Sequence, residues 1–520
     1  MPSYLSPGVY VEEIDKGSKP IEGAGTAVAA FVGIAEKGPV GEPTLVTNWS
    51  QFTKTFGGFV PGGFLATSVY AYFNNGGGIC YVNRVDGSLT ASTGSSAVPG
   101  QLALPGRAAG SAPVLDFSVR PSVTGEVSIR ITAAGADAPA DHFTVAIQSG
   151  AISESFPNLS IGGETGGENA AEAINARSTL VQVAERPQSA DAAERAPALG
   201  SYQLAASGST ALAGQQGAAL APVNLSAFVG DAAARTGING LEVLDNVTML
   251  CVPDIMAAFQ HGLIDDEGVR AIQTAMMDHC AAARDRVAII DCPPGMSPQQ
   301  IQNWRVNIAN YDSSYAALYY PWVQIANPIP GGPTGLLVPP SGLLAGVWAR
   351  TDNERGVHKA PANEIVRGAI GLEMQISRNE QDTLNPVGIN CIRAFPGRGV
   401  RVWGARTLSS DASWRYLNVR RLFNFVEKSI DMGTQWSVFE PNDQFLWAKV
   451  VRDVSAFLTR VWSGGALFGG SPGEAFYVKC DAELNPVEVR DAGQMICEIG
   501  IAPVKPAEFV IFRISQYSAG

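Results

Sequence analysis

The residues that could do chemistry sit in patterns that do not complete a site. Gly469–Gly473, GGSPG, has the G-x-S-x-G spacing of a nucleophile elbow. The residue after Ser471 is Pro472, which has no N–H to offer an oxyanion, so the run reads as a sharp surface turn. Gly23–Val28, GAGTAV, begins like a dinucleotide fingerprint, but it lacks the third glycine and precedes a strand-like run. Gly76–Gly78 lies between a helical and a strand-like segment, the reverse of a phosphate cradle, and reads as a helix stop and turn. Val287–Asp291, VAIID, resembles the acidic end of a nucleotide-binding strand, yet no GxxxxGK[ST] accompanies it. Asp291 is therefore expected to cap a strand or turn beside Pro293 and Pro294. The four histidines, His142, His261, His279 and His358, stand at no metal-ligand spacing, and there is no C-x-x-C. His279 and His358 read as packing residues. The carboxylate pairs Glu12-Glu13 and Asp265-Asp266 fall on solvated segments. No catalytic, cofactor-binding or metal-binding residue is assigned, and the chain reads as a non-enzyme.

The elements around these residues suggest several domains. The chain has 520 residues, 46% hydrophobic and 16% charged, a composition of folded domains with sizeable cores. Val247–Val252, Val287–Asp291 and Tyr315–Trp322 are short apolar runs separated by helical patterns. Glu267–Arg286 places Val269, Ile272, Met276 and Ala283 on one side, and Ser297–Gln300 is a capping box with Pro298 at the first helical position. Such alternation predicts right-handed crossovers and a mostly parallel sheet, which Ala27–Ala35 and Ile79–Val85 could join. Between Gly87 and Gly240 there is no tryptophan, and small residues dominate. Alternation in Phe117–Ile131 and His142–Ile147 predicts strands there, with loops at Gly162–Gly167 and Ala205–Gly217. Near the end, a helix around Trp414–Asp431 is expected to stop at Gly433. A second follows Pro441-Asn442 with Leu446, Trp447, Val450, Val454, Phe457, Leu458 and Val461 on a buried face. The fold class is α+β and multidomain: an α/β core with a mostly parallel sheet, a β-rich insertion, an α+β C-terminal domain and extended terminal strands.

Charge gives the strongest local signal. The net charge is −12, which argues against general nucleic-acid binding. Against it, Leu384–Ile430 carries Arg393, Arg398, Arg401, Arg406, Arg415, Arg420, Arg421 and Lys428 but only Asp411 and Glu427. Cations on an apolar scaffold suit a docking surface; ion pairing with distant acids of the same chain is the equal alternative. The odd, scattered set of seven cysteines reads as reduced, buried thiols of a cytoplasmic product. No apolar run nears the roughly 18 residues a membrane span needs, and no secretory signal is visible.

Five ordered segments resemble the contractile tail sheath proteins of phages and related injection systems. They are PGVYVEE (Pro7–Glu13), YFNNGGGICYVNRV (Tyr72–Val85), GVWARTDNERGVHKAPAN (Gly346–Asn363), PGRGVRVWGARTL with NVRRLFNFVEKSI (Pro396–Leu408, Asn418–Ile430), and FEPNDQFLWAKV (Phe439–Val450). The resemblance implies a structural subunit that polymerises helically around an inner tube and contracts to drive the tube through a target envelope. The alternatives are a non-contractile shell protein or an α/β hydrolase-type enzyme. Implied partners are further copies of itself, an inner tube protein, and baseplate and terminator or cap proteins, with no nucleic acid and no membrane insertion. Implied localisation is cytoplasmic assembly into a phage tail or tail-like particle that can be released from the cell. Expected domains are an arm and linker (1–22), the first part of the α/β core (23–87), an outward β-rich insertion (88–235), the second part of the core (236–370), a C-terminal sheath domain (371–505) and a C-terminal arm (506–520). Both chain ends are β-prone, and an exposed FVIFRI edge would invite pairing. These strands can add to a sheet of their own chain or to a neighbour's, and residues alone leave both open; the resemblance implies that Val9, Tyr10, Val11 and Glu12, with Phe509, Val510, Ile511 and Phe512, exchange strands between subunits. Ile14–Gly25 is expected to act as a free tether. Arg420, Arg421, Lys449, Arg452 and Arg460 are the candidate inner-tube contacts.

Overall fold

The computed structural model describes residues 20–89, 101–107, 113–120, 126–134, 139, 141–149, 152–161, 168–186, 196–205, 223–329, 333–511 and 513. The apolar runs of the middle segment do assemble into one sheet. Its strands are β1 (Val28–Gly33), β2 (Thr44–Val46), β3 (Ile79–Arg84), β4 (Met249–Cys251), β5 (Val287–Asp291), β6 (Ala316–Tyr320), β7 (Ile389–Phe395) and β8 (Gly399–Val402), in the spatial order β8-β7-β6-β5-β4-β1-β3-β2. The six inner strands are parallel, and the edge strands β2 and β8 are antiparallel to their neighbours. β1, β5 and β6 are buried along their whole length, as strands covered on both faces must be. Covering helices include α1 (Leu65–Asn74), α2 (Asp254–Gln260), α3 (Asp266–Ala283) and α4 (Ser341–Arg355). α4 is buried over most of its length, and Gly346 lets it approach α1: an added Cβ would lie 2.5 Å from the Tyr72 carbonyl oxygen.

The segment between β3 and β4 builds its own core. Leu115, Phe117, Ile129, Val145 and Phe156 belong to a hydrophobic cluster separate from that of the main sheet. A three-stranded and a five-stranded sheet enclose it. The predicted loops lie outside the described residues, apart from Ala205.

Two boundaries differ from the sequence reading. β7 and β8 extend the main sheet through Val402, so a division at 370/371 cuts this sheet. The pairing of β7 with β6 is long-range and leaves no local mark in the sequence, and β8 joins through β7. Beyond the sheet, α5 (Leu417–Thr434) and α6 (Gln444–Ser463) pack with the ribbon β9 (Phe476–Lys479) and β10 (Glu498–Ile501) around a third cluster. Gly433 does not end α5 but lies within it. Its missing Cβ makes room for Ile21, whose Cγ2 would stand 2.6 Å from an added Cβ.

Candidate assembly surfaces

The C-terminal arm leaves the body at a charged clamp. Glu508 accepts from Arg406 Nε at 2.9 Å and Nη2 at 2.7 Å, from Asn385 Nδ2 at 2.7 Å and from Tyr416 Oη at 3.3 Å. These donors outweigh the opposing effect of burial and hold the Glu508 carboxyl below its usual range. Beyond the clamp, Phe509, Val510 and Ile511 are 71%, 68% and 79% exposed and form no strand. Three consecutive apolar side chains in water, rooted by a half-buried ion pair, make an unpartnered segment with a fixed origin. Phe512 and the N-terminal group Val9–Glu12 lie outside the described residues.

The N-terminal linker is docked where a free tether was expected. Ile21 is 1% exposed in the α5–α6 cluster. Its carbonyl accepts from Arg460 Nη2 at 2.6 Å. Ala24 N donates to Ser429 Oγ at 2.9 Å, and the Thr26 carbonyl accepts from Arg421 Nη2 at 3.1 Å. Gly23 lies against the Phe425 ring, where an added Cβ would meet carbons at 3.1 Å. Glycine-rich composition had suggested slack, but here small residues permit close packing. Any free tether therefore ends before Ile21.

Part of the basic block faces inward: Arg406, Arg420 and Arg421 are buried, whereas Arg398 and Arg415 are exposed. Arg421 is buried, donates to Asp352 Oδ1 at 2.9 Å and stacks 4.8 Å from the Trp348 ring centre. Arg420 is also buried, 4.2 Å from the Trp414 ring and 4.6 Å from that of Tyr315, and bonded to Asn424. Neither guanidinium is available to a tube, which corrects the sequence assignment for both. Their energy goes into fixing α5 to the sheet domain, since a buried cation needs a paired or stacked partner. Lys428 adds an ion pair to Asp285 at 3.3 Å. Arg393, Arg398 and Arg401 bond to Gln381, Asn363 and nearby carbonyls. The candidates on α6 stand differently. Lys449, Arg452 and Arg460 are exposed; Arg452 lies opposite Val450 and Val454, and Lys449 and Arg460 flank the buried face. Lys449 has no hydrogen-bond or ion-pair partner among the described residues; Arg452 bonds only to the adjacent Asp453 at 2.9 Å. Arg460 is partly committed to the linker through Ile21.

The residues that suggested chemistry serve the fold. Asp291 caps α4, accepting from Ser341 N at 2.8 Å and Ser341 Oγ at 2.6 Å; burial pushes its carboxyl up to about 7. Asp254 accepts from Ile34 N, Phe64 N and Leu65 N at the start of α1, and burial pushes it up to about 6. Sequence gave no cue to Asp254, because its donors are backbone groups about 190 and 220 residues away. Burial pushes His279 down to about 4, beside Arg286 at 3.1 Å. Ser471 precedes a short helix begun by Pro472. Among the described residues no three His, Cys, Asp or Glu side chains converge on a metal-sized site, and no helix is long and apolar enough to cross a membrane.

Comparison with known proteins gives consistent results. The chain is 31% identical over 177 residues to the tail sheath protein of Vibrio phage KVP40, a match spanning 33% of this chain but only 26% of that protein. It is 28% identical over 303 residues to a putative prophage major tail sheath protein of Pseudomonas aeruginosa, covering 56% of this chain and 72% of the relative. Its fold resembles the helical sheath of the anti-feeding prophage in the contracted state, at a TM-score of 0.56 and 24% identity over 99% of this chain and all of the other. The sheath complex of an extracellular contractile injection system aligns at 0.55 and 22% identity, over 99% of each chain. The phage tail sheath central domain matches residues 236–408 and the phage tail sheath C-terminal domain residues 409–516. These adjacent models together span more than half of the 520 residues, and the chain belongs to the phage tail sheath protein family, a structural family and not an enzyme family.

Proposed function

We propose that this chain is the subunit of a contractile sheath, wound in helical layers around an inner tube and driving that tube through a target envelope when it contracts. The observation that carries the reading is a stiff body with an anchored, unpaired apolar arm. Arg421–Asp352, Lys428–Asp285 and the docked linker fuse the α/β core to α5 and α6. Such a body moves as a unit, and the lattice change is a rearrangement of contacts between bodies with no nucleotide consumed. Phe509–Phe512 and Val9–Glu12 supply strands that pair with neighbouring subunits, a head-to-tail arrangement that generates an open helical polymer. Lys449 and Arg452, with Arg460 at the margin, meet acidic groups on the inner tube. Each exposed pair contributes at most ~1 kcal/mol, so the contact releases readily while many copies hold together. Residues 88–235 form an outward domain not required for contraction. A baseplate starts the sheath and a terminator ends it; assembly takes place in the cytoplasm, in a phage tail or a tail-like particle.

Electron microscopy of the purified chain tests the reading. Hollow helical tubes are expected. Discrete monomers at high concentration, with and without a co-expressed tube protein, would contradict it.

A further inference from the structure

We propose that Cys480 and Cys497 are an oxidisable dithiol, a modification site at which the β9–β10 ribbon acquires a disulfide on meeting a low-molecular-weight disulfide such as oxidised glutathione. The inference is independent of the sheath reading, because it rests on local geometry alone.

The ladder pairs Phe476 with Ile501, Tyr477 with Gly500, Val478 with Ile499 and Lys479 with Glu498. The next step along it sets Cys480 opposite Cys497. Ala502 N donates to the Ala475 carbonyl at 2.8 Å, which makes 475/502 a hydrogen-bonded position. Alternation from there makes 480/497 a non-hydrogen-bonded one, where opposed Cα atoms lie about 4.5 Å apart, within the span a disulfide bridges. The side chains also share a face. Phe476, Val478 and Cys480 alternate with Tyr477 and Lys479, and the first three pack into the third core with Cys497, Ile499 and Ile501. The two thiols lie within interaction range of each other. Asn485 Nδ2 points at the same sulfur at 3.8 Å, and both cysteines are free. Cys480 is buried while Cys497 is half-buried, so a small oxidant reaches Cys497 first. The other five cysteines, Cys80, Cys251, Cys280, Cys292 and Cys391, are buried in the sheet domain at 0% exposure and offer no such access.

The step is thiol–disulfide exchange. Cys497 loses its proton to solvent and its sulfur attacks one sulfur of the small disulfide, releasing one thiolate. The Cys480 sulfur, deprotonated in turn, attacks Cys497 Sγ and expels the second thiolate, and each thiolate takes up a proton. One small disulfide becomes two thiols, and two protein thiols become one disulfide. Burial, with the contact to Cys480, pushes the Cys497 thiol up to about 12, so the reaction is slow at neutral pH and accelerates as pH rises. The product closes the loop 481–496. It thereby fixes a two-stranded ribbon, an arrangement with little stability of its own.

The test uses the full chain, incubated with oxidised glutathione or with dithiothreitol, then denatured for thiol counting and peptide mapping. Seven titratable thiols in the reduced chain should fall to five, seven less the two joined, with a peptide linking Cys480 to Cys497. The oxidised chain should melt on the order of 5 °C higher, an effect reversed by dithiothreitol. C497S should hold six thiols, seven less one, whatever the oxidant. The proposal is overturned if the wild-type count stays at seven, if glutathione remains attached to Cys497 alone, or if the new disulfide joins two chains.

Discussion

Replacing Ile21 with alanine should loosen the N-terminal linker without unfolding the body. Ile21 is 1% exposed and seated over Gly433 between α5 and α6. Truncating a buried isoleucine to alanine costs about 2–5 kcal/mol. Three hydrogen bonds also hold the segment: Ala24 to Ser429, Arg460 to Ile21 and Arg421 to Thr26, each contributing about 1 kcal/mol. Loss of roughly 3 kcal/mol from this set should raise the undocked population about 100-fold. The loss is confined to the linker, because the sheet domain and the Arg421–Asp352 pair do not depend on Ile21. Amide hydrogen exchange reads the change directly: protection at Ala24 should fall about 100-fold while β5 and β6 stay protected. Undocking residues 20–26 would add up to roughly 3.3–3.6 Å of reach per residue. Particles built from the variant should then assemble but pass contraction between layers less completely. Unchanged exchange at Ala24 would refute the docking. Changed exchange with normal contraction would refute the tether's part in transmission and leave body-to-body contacts as the driver.

Further expectations follow from the same geometry. Asp254 and Asp291 have folded-state values raised to about 6 and about 7, so the native state holds their protons more tightly than the unfolded chain does. Their stabilising effect is full below the usual carboxylate range and is lost as pH rises through 6 to 7. D291N, whose amide can still accept from Ser341 N and donate to Ser341 Oγ, should therefore show a thermal midpoint that varies less between pH 5 and pH 8 than wild type; an unaltered pH profile would contradict this. The double reversal K449E/R452E should impair assembly of extended sheath on the tube yet spare tube-free contracted sheath, scored by microscopy, and equal loss of both would assign these residues to folding or sheath–sheath contacts. Leu89, Val223 and Phe228 belong to the main core, so replacing only residues 101–205 with a short Gly/Ser linker should leave the melting of the remaining body within a few degrees, because the insertion's own core is separate from that of the main sheet; loss of the folding transition would show the segment to be integral.

The sequence revealed local order better than it revealed partnership. Strand–helix alternation from Val247 to Trp322, the Ser297–Gln300 capping box and the buried face of α6 were legible because each arises from residues within a few positions of one another. The inward fate of Arg420, Arg421 and Lys428 was not. Asp352 lies 69 residues from Arg421, and Asp285 lies 143 from Lys428. Composition counts such charges without pairing them. Gly433 misled for a related reason: glycine marks helix ends, but here it accommodates a side chain from 412 positions earlier (433 less 21). Nothing in the sequence sets Glu508 apart from other acids, and only the fold shows it holding the root of the arm. Cys480 and Cys497 likewise meet through a register that spacing alone does not disclose.

Polymerisation through the terminal arms underlies every other step of the proposed function. Electron microscopy of the full chain beside a chain ending at Glu508, both checked for a normal folded spectrum and melting transition, tests it most directly. Hollow tubes are expected from the full chain, and folded, soluble, unassembled protein from the shortened one. Tubes of the same form and yield from the chain ending at Glu508 would contradict it.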